Sequence, residues 1–382
     1  MKTRGTVCLL ALMALATCHV HAQGAAPAAK ADAPQKMGTF YFGNSLTGCT
    51  NPQWHEELGK SAGKTWVADA MLGAGWPLWA HRRELKLDEV SLSTAARGDL
   101  TLDPEFVQSA SWKAKQFYQG CPWDAIVLQP FSSSLARVVT KMWGTEFDKP
   151  TDVGDIAAAS DIIELFLKTN AQGRVYIYTD WPPMEWGEIP PEDERPEWAR
   201  REGVRIARAE FPTRDAFDYE HEWLEKKFSQ DHPDRPWLDN GRCQDYHYQL
   251  FEALKKRFPE LWEQGRLRMI PTGDIFMALE RKMRAGKVPG IDSIKDFYTD
   301  VQHIRAGLPR YTAASSFYAV MFEDHPKALD WRIYNDESEY GPDPSHDKYP
   351  LLEITLERAR VVNDTIWEVV TGHPYTKIEA AE

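Results

Sequence analysis

The run Trp123-Asp124-Ala125-Ile126-Val127-Leu128-Gln129 constrains the fold more than any other stretch of this chain. Its apolar residues are consecutive from Ala125 to Leu128 instead of alternating with polar ones. A strand with one wet face alternates; a strand apolar on both faces must be covered on both, as in a parallel sheet packed between helices. Four other segments read as strands: Thr39 to Phe42, Thr65 to Met71, Arg174 to Thr179 and Leu267 to Ile270. Helical patterns separate them, and strands alternating with helices imply βαβ units of one hand. The expectation is therefore an α/β fold, a three-layer flavodoxin-like sandwich around a five-stranded parallel sheet.

Cap-then-proline signals at Asn51-Pro52 and Asp103-Pro104 predict helices from Pro52 to about Lys60 and from Pro104 through Tyr118. Further helices are predicted from about Pro77, carrying His81, and over 152–169, 245–264, 274–284, 306–322 and 351–370. Residues 37–382 form a single domain in this reading. Residues 181–248, dense in Pro, Trp and charge, are expected as an insertion laid over the top of the sheet.

At the N-terminus Lys2 and Arg4 precede an apolar run from Val7 to Ala16, and Val20-His21-Ala22 fits a small-x-small cleavage site. Residues 1–22 are expected to be a cleaved signal peptide and 23–36 a flexible linker, which predicts a periplasmic or secreted protein. The formal charge of −12 argues against a nucleic-acid partner, and the apolar run is too short for stable membrane insertion. Cys49, Cys121 and Cys243 allow at most one disulfide within the mature chain, with three pairings open. No Cys or His spacing suggests a metal: His55-Glu56 lacks the second histidine of a zinc helix, and His221, His232 and His247 are irregularly spaced. No glycine-rich phosphate loop appears, and no cofactor is expected.

Two short motifs carry chemistry. Thr39-Phe40-Tyr41-Phe42 runs directly into Gly43-Asn44-Ser45, which would deliver a serine to a tight turn at the C-terminal edge of the sheet. Asp300-Val301-Gln302-His303 places a carboxylate three residues before an imidazole, so that one loop can fix the histidine tautomer. Strand ends converge on a shared crevice in a doubly wound sheet, so the two motifs can meet there.

The sequence resembles the SGNH/GDSL hydrolase superfamily, and looks like its exported bacterial branch with a Gly-Asn-Ser-(Leu/Phe)-Thr first block. The resemblance covers about Met37 to Pro326. It rests on Phe42-Gly43-Asn44-Ser45-Leu46-Thr47, Gly75 with Leu78 and His81, Trp123 to Gln129, and Asp300-Val301-Gln302-His303 with Gly307 and Tyr311. It implies Ser45 as nucleophile, His303 as general base and Asp300 as its orienting carboxylate. It also implies an oxyanion hole from the backbone N–H groups of Ser45 and Gly75. Two positions depart from the family pattern. Asn44 stands where Asp is usual, and no Gly-x-Asn-Asp block follows the third strand, where Gln129 is the substitute amide donor. Trp76 and His81 are candidate substrate contacts.

What this implies is an exported serine esterase acting through an acyl-enzyme on a small-molecule or polysaccharide ester. The preferred substrate is an O-acetylated carbohydrate, on account of export and of Trp76, Trp79, Trp181 and Trp186 near strand ends. The alternatives are a lipid or thioester hydrolase, and an inactive carbohydrate-binding protein that has kept the fold.

Overall fold

The structure is a computed structural model that describes residues 33–87, 89, 92–94, 100–102, 104–131, 135, 153–184, 214–228, 242–300, 302–336 and 350–379. In chain order its main elements are β1 (Lys36–Gly43), α1 (Ser45–Gly48), α2 (His55–Ser61), β2 (Thr65–Leu72), α3 (Leu78–Glu84), β3 (Leu92–Thr94), β4 (Leu100–Leu102), α4 (Pro104–Ser109) and α5 (Trp112–Gly120). They continue with β5 (Ala125–Leu128), α6 (Asp155–Thr169), β6 (Arg174–Tyr178), α7 (Gln244–Arg257), α8 (Pro259–Glu263), β7 (Leu267–Ile270), α9 (Thr272–Arg284), α10 (Leu308–Met321) and α11 (Leu356–Gly372).

Five strands pair in the order β2-β1-β5-β6-β7, and every pairing is parallel. This is the predicted α/β sheet, with the strand order of a flavodoxin-like sandwich. Alternate residues serve opposite faces. Tyr41, Val127, Tyr176, Tyr178 and Ile270 join one core with α2, α9, α10 and α11. Phe40, Phe42, Ile126, Leu128, Val175, Ile177 and Met269 join the other with α3, α5, α6 and α7. The consecutive apolar run of β5 is thus explained by burial on both sides: Ala125 to Leu128 are at most 1% exposed.

Helix α10 is the most enclosed of the described helices, buried from Leu308 to Met321 except at Arg310. Two of its hydroxyls bond back to the helix, Thr312 Oγ1 to the Leu308 carbonyl at 2.7 Å and Ser316 Oγ to that of Ala313 at 2.6 Å. Phe317 projects from it onto the central strands, with ring centroids 4.6 Å from Tyr178 and 5.7 Å from Tyr41.

Several expectations need correction. The helix predicted from Pro104 to Tyr118 is two helices, because Ser111 stops the first and caps the second, its Oγ accepting the Ala114 N–H at 3.3 Å. The helix predicted over 245–264 breaks at Pro259, which has no N–H to continue α7 and starts α8 instead. The antiparallel hairpin of β3 and β4 was not anticipated; each of its strands is only three residues long. The described part of the 181–248 insertion is not merely laid over the sheet, since Phe217, Tyr219 and Trp223 are buried in the first core. The signal peptide and residues 23–32 of the linker lie outside the described residues.

No disulfide joins any two of Cys49, Cys121 and Cys243. Burial pushes Cys121 up to about 12 and Cys243 up to about 11, so neither is a thiolate at neutral pH. No described helix is long and apolar enough to cross a membrane.

Replacing Phe317 by Ala removes a ring that joins α10 to β1 and β6. The expected cost is about 3–5 kcal/mol, read as a lower urea midpoint with little change in denaturant slope.

Candidate active site

The site lies where β1, β2 and β5 end. Strand β1 stops at Gly43, and Asn44 caps the single turn α1 by accepting the Leu46 N–H on Oδ1 at 2.9 Å. Ser45 is the first residue of that turn, partly exposed. Beneath it, Gln129 leaves the end of β5 fully buried. Its Oε1 accepts the backbone N–H of Asn44 at 3.1 Å, that of Thr47 at 3.1 Å, and the Thr47 hydroxyl at 2.6 Å. Two of these donors are backbone amides, so the orientation of the Gln129 amide is determined. Its Nε2 therefore faces Asn44 Oδ1, at 3.0 Å. The Asn44 Nδ2 donates in turn to the Trp76 carbonyl at 3.3 Å, tying the β1 exit to the β2 exit.

Gly43 makes this close approach possible. A Cβ at that position would lie 2.0 Å from Thr47 Oγ1 and 2.9 Å from Gln129 Oε1. The glycine is required by packing against the turn, since any side chain would displace the amide that holds it.

The second motif reaches the same edge from the loop before α10. Asp300 Oδ1 accepts the N–H groups of Gln302 and His303, at 2.8 and 2.7 Å, which folds the loop around the carboxylate. Asp300 Oδ2 lies 2.6 Å from His303 Nδ1, and His303 Nε2 lies 2.8 Å from Ser45 Oγ. A carboxylate facing Nδ1 takes its proton in a hydrogen bond, so Nε2 is left as an acceptor for the serine O–H. Ser45, His303 and Asp300 are thus brought together in one hydrogen-bonded series. An imidazole so held can withdraw a proton from the hydroxyl as it attacks. Among the described residues, no hydrogen bond engages the backbone N–H of Ser45 or of Gly75. Gly75 stands beside Trp76 in the β2 exit with a φ of 65°.

Three sequence assignments are revised. Gln129 was expected as an oxyanion donor. It is enclosed and bonded to Asn44 and Thr47, so its task is to hold the turn. His81 was expected to touch substrate. It is fully buried, edge-on to Phe42 and Trp76 at 5.9 and 5.3 Å between centroids. Burial pushes it down to about 3, so it is a neutral core imidazole at physiological pH. Trp79 and Trp181 are buried too, at 6% and 0% exposure, and present no platform; Trp186 lies outside the described residues. Thr47 was overlooked, although its hydroxyl makes the shortest bond to Gln129; its place two residues after Ser45 was the available signal.

Two outcomes follow for this geometry. Gln129→Ala leaves two backbone donors, a hydroxyl and Asn44 Oδ1 without their buried partner, and is expected to cost about 3 kcal/mol in urea denaturation. The Asp300 carboxyl is pushed up by burial, but hydrogen bonds from the His303 ring, the attraction of that ring and the backbone N–H groups outweigh this and hold it below its ordinary value. The stabilisation it supplies is fully present above the unfolded carboxylate value of about 4. It is lost as pH falls through the lowered folded value. The difference in urea midpoint between wild type and Asp300→Asn should narrow as pH falls below about 4.

No protein-family model matches the chain, and no curated protein does. Among solved structures it is similar to a DUF4886 family protein from Bacteroides uniformis, at 13% identity over 88% of this chain and 95% of that one, with a TM-score of 0.40. It is also similar to a possible lipase from Chitinophaga pinensis, at 11% identity over 59% of this chain and 98% of that one, with a TM-score of 0.22. Neither likeness is close enough to bear on function, which is argued from the site alone.

Proposed function

We propose that this protein is a serine esterase of the SGNH type, with Ser45 as nucleophile, His303 as general base and Asp300 as the carboxylate that orients it. The single observation that carries this reading is the continuous series from Asp300 Oδ2 through the His303 ring to Ser45 Oγ, at 2.6 and 2.8 Å. In the proposed reaction Ser45 Oγ attacks an ester carbonyl carbon while its proton passes to His303 Nε2. The tetrahedral oxyanion is held by the N–H groups of Ser45 and Gly75. Collapse breaks the bond to the alcohol, which leaves with the proton from His303. Water then repeats the sequence on the acyl-enzyme, releasing the acid and restoring the serine. An inactive binding protein has no need of so complete a series, and the esterase reading is preferred for that reason.

For the alcohol we favour a carbohydrate, with an O-acetyl group as the acid part. Trp76 borders the nucleophile turn through its carbonyl, and Lys113 Nζ stands 3.9 Å above its ring. Trp112, 69% exposed, begins α5, and the same ammonium lies 5.6 Å from its ring centroid. An exposed indole with a cation beside it offers a flat amphipathic surface suited to a sugar ring. Action on such a substrate outside the cytoplasm agrees with the expected signal peptide.

A fluorophosphonate probe should label the wild type and leave Ser45→Ala unlabelled. Turnover of p-nitrophenyl acetate by Ser45→Ala or His303→Ala should fall about 10³-fold or more in kcat. Absence of Ser45-dependent labelling would sink the hydrolase. Faster release from long acyl chains than from acetate would replace the carbohydrate ester with a lipid or thioester.

A further inference from the structure

The loop that carries Asp300 and His303 is fastened from outside by a buried ionic cluster. Gln302, between the two, has no idle polar atom in its backbone. Its N–H donates to Asp300 Oδ1 at 2.8 Å, and its carbonyl accepts Trp181 Nε1 at 2.7 Å. Its side-chain Oε1 accepts Arg242 Nη1 at 3.0 Å. Arg242 uses the rest of its fork on the segment that follows β6: Nε donates to Asp180 Oδ2 at 3.1 Å and Nη2 to the Trp181 carbonyl at 3.0 Å. The guanidinium also lies 5.2 Å from the ring of Phe131, two residues beyond Gln129. One side chain therefore joins the exits of β5 and β6 to the loop bearing the imidazole.

Asp180 is what keeps Arg242 there. It is fully buried, and its second oxygen lies 2.9 Å from Nε2 of His247, which is fully buried as well. A carboxylate in such a place needs its cation, because losing one partner leaves an uncompensated buried charge. The planar guanidinium meets three acceptors in fixed directions, which an ammonium on a flexible stem cannot do. Arg242, with its charge balanced by Asp180, is a brace and not a receptor for substrate anions.

We propose that Arg242, anchored by Asp180 and acting through Gln302, is a positioning residue that holds the Asp300–His303 loop in register with Ser45. The kinetic part of this inference rests on the esterase reading; its structural part does not. A displacement of about 1 Å between reacting groups can cost about 10²-fold in rate, so a loop released at Gln302 loses turnover without losing affinity.

The test compares wild type, Gln302→Ala and Gln302→Glu in two measurements: steady-state hydrolysis of p-nitrophenyl acetate, and hydrogen–deuterium exchange across residues 299–304. Gln302 is only partly buried, so neither variant threatens folding. Gln302→Ala should lower kcat about 10- to 100-fold with KM within about twofold, and speed exchange in the loop about tenfold. Gln302→Glu keeps an acceptor for Arg242 and should recover kcat and protection to within about threefold of wild type. Unchanged exchange in Gln302→Ala overturns the proposal whatever the kinetics, and so does a Gln302→Glu variant as impaired as the alanine. A wild type with no Ser45-dependent turnover removes the esterase reading instead, and the exchange comparison then decides the brace by itself.

Discussion

The buried amide of Gln129 connects the two central strands at the edge where the chemistry is set, and the local geometry follows from its orientation. With its oxygen turned toward the N–H groups of Asn44 and Thr47, its nitrogen must face Asn44 Oδ1. The Asn44 nitrogen must then face the Trp76 carbonyl. Direction is thus handed from β5 to the turn after β1, and from there to the turn after β2. A carboxylate at position 44 has no proton to give to Trp76 and would set an anion beside its carbonyl oxygen. Asn44 and Gln129 are bonded to each other. Together they hold the turn through neutral hydrogen bonds, without a charge.

Much of the fold was legible in the sequence because the sheet is covered on both faces. Burial on both sides writes an unbroken apolar run into β5, and β7 was found over Leu267–Ile270 with the boundaries it has. The helix interruptions at Ser111 and Pro259 had local signals that were outweighed by the length of the amphipathic pattern. The hairpin of β3 and β4 is too short to raise one. At the site, the serine at a strand exit and the Asp-x-x-His loop were legible as two short motifs, and Ser45, His303 and Asp300 do meet in space. Which aromatic and polar side chains face the crevice was not legible, since exposure is decided by neighbours distant in the chain. His81 and Trp181 look like surface contacts in sequence and are core in space. Asp180, Arg242 and Gln302 belong to three separate segments, and nothing local in any of them points to the other two.

The two ends of the site are held differently. The Ser45 turn is secured by neutral hydrogen bonds in a dry interior, where unsatisfied groups are costly and few alternatives compete. The histidine loop is secured partly by charge and partly by backbone pairing. Thr299 donates to the His303 carbonyl at 2.9 Å, and Leu352 bridges the residues just beyond the loop through Ala306 and Leu308. Rigidity at the Ser45 turn and several independent ties at the other end keep Ser45 and His303 within hydrogen-bonding distance of one another.

Ser45 and His303 are 258 residues apart in the chain. Contacts of such span form late, because the loop they close is entropically expensive until intervening elements have packed. The nucleophile turn can settle once β1, β2 and β5 have paired, whereas the imidazole arrives only with α10 and the strand-like segment at Leu352. A nascent or still-unfolded chain therefore lacks the contact between Ser45 and His303. If the esterase reading holds, the topology itself sets a delay between synthesis and reactivity, because the Ser45–His303 contact waits on the C-terminal part.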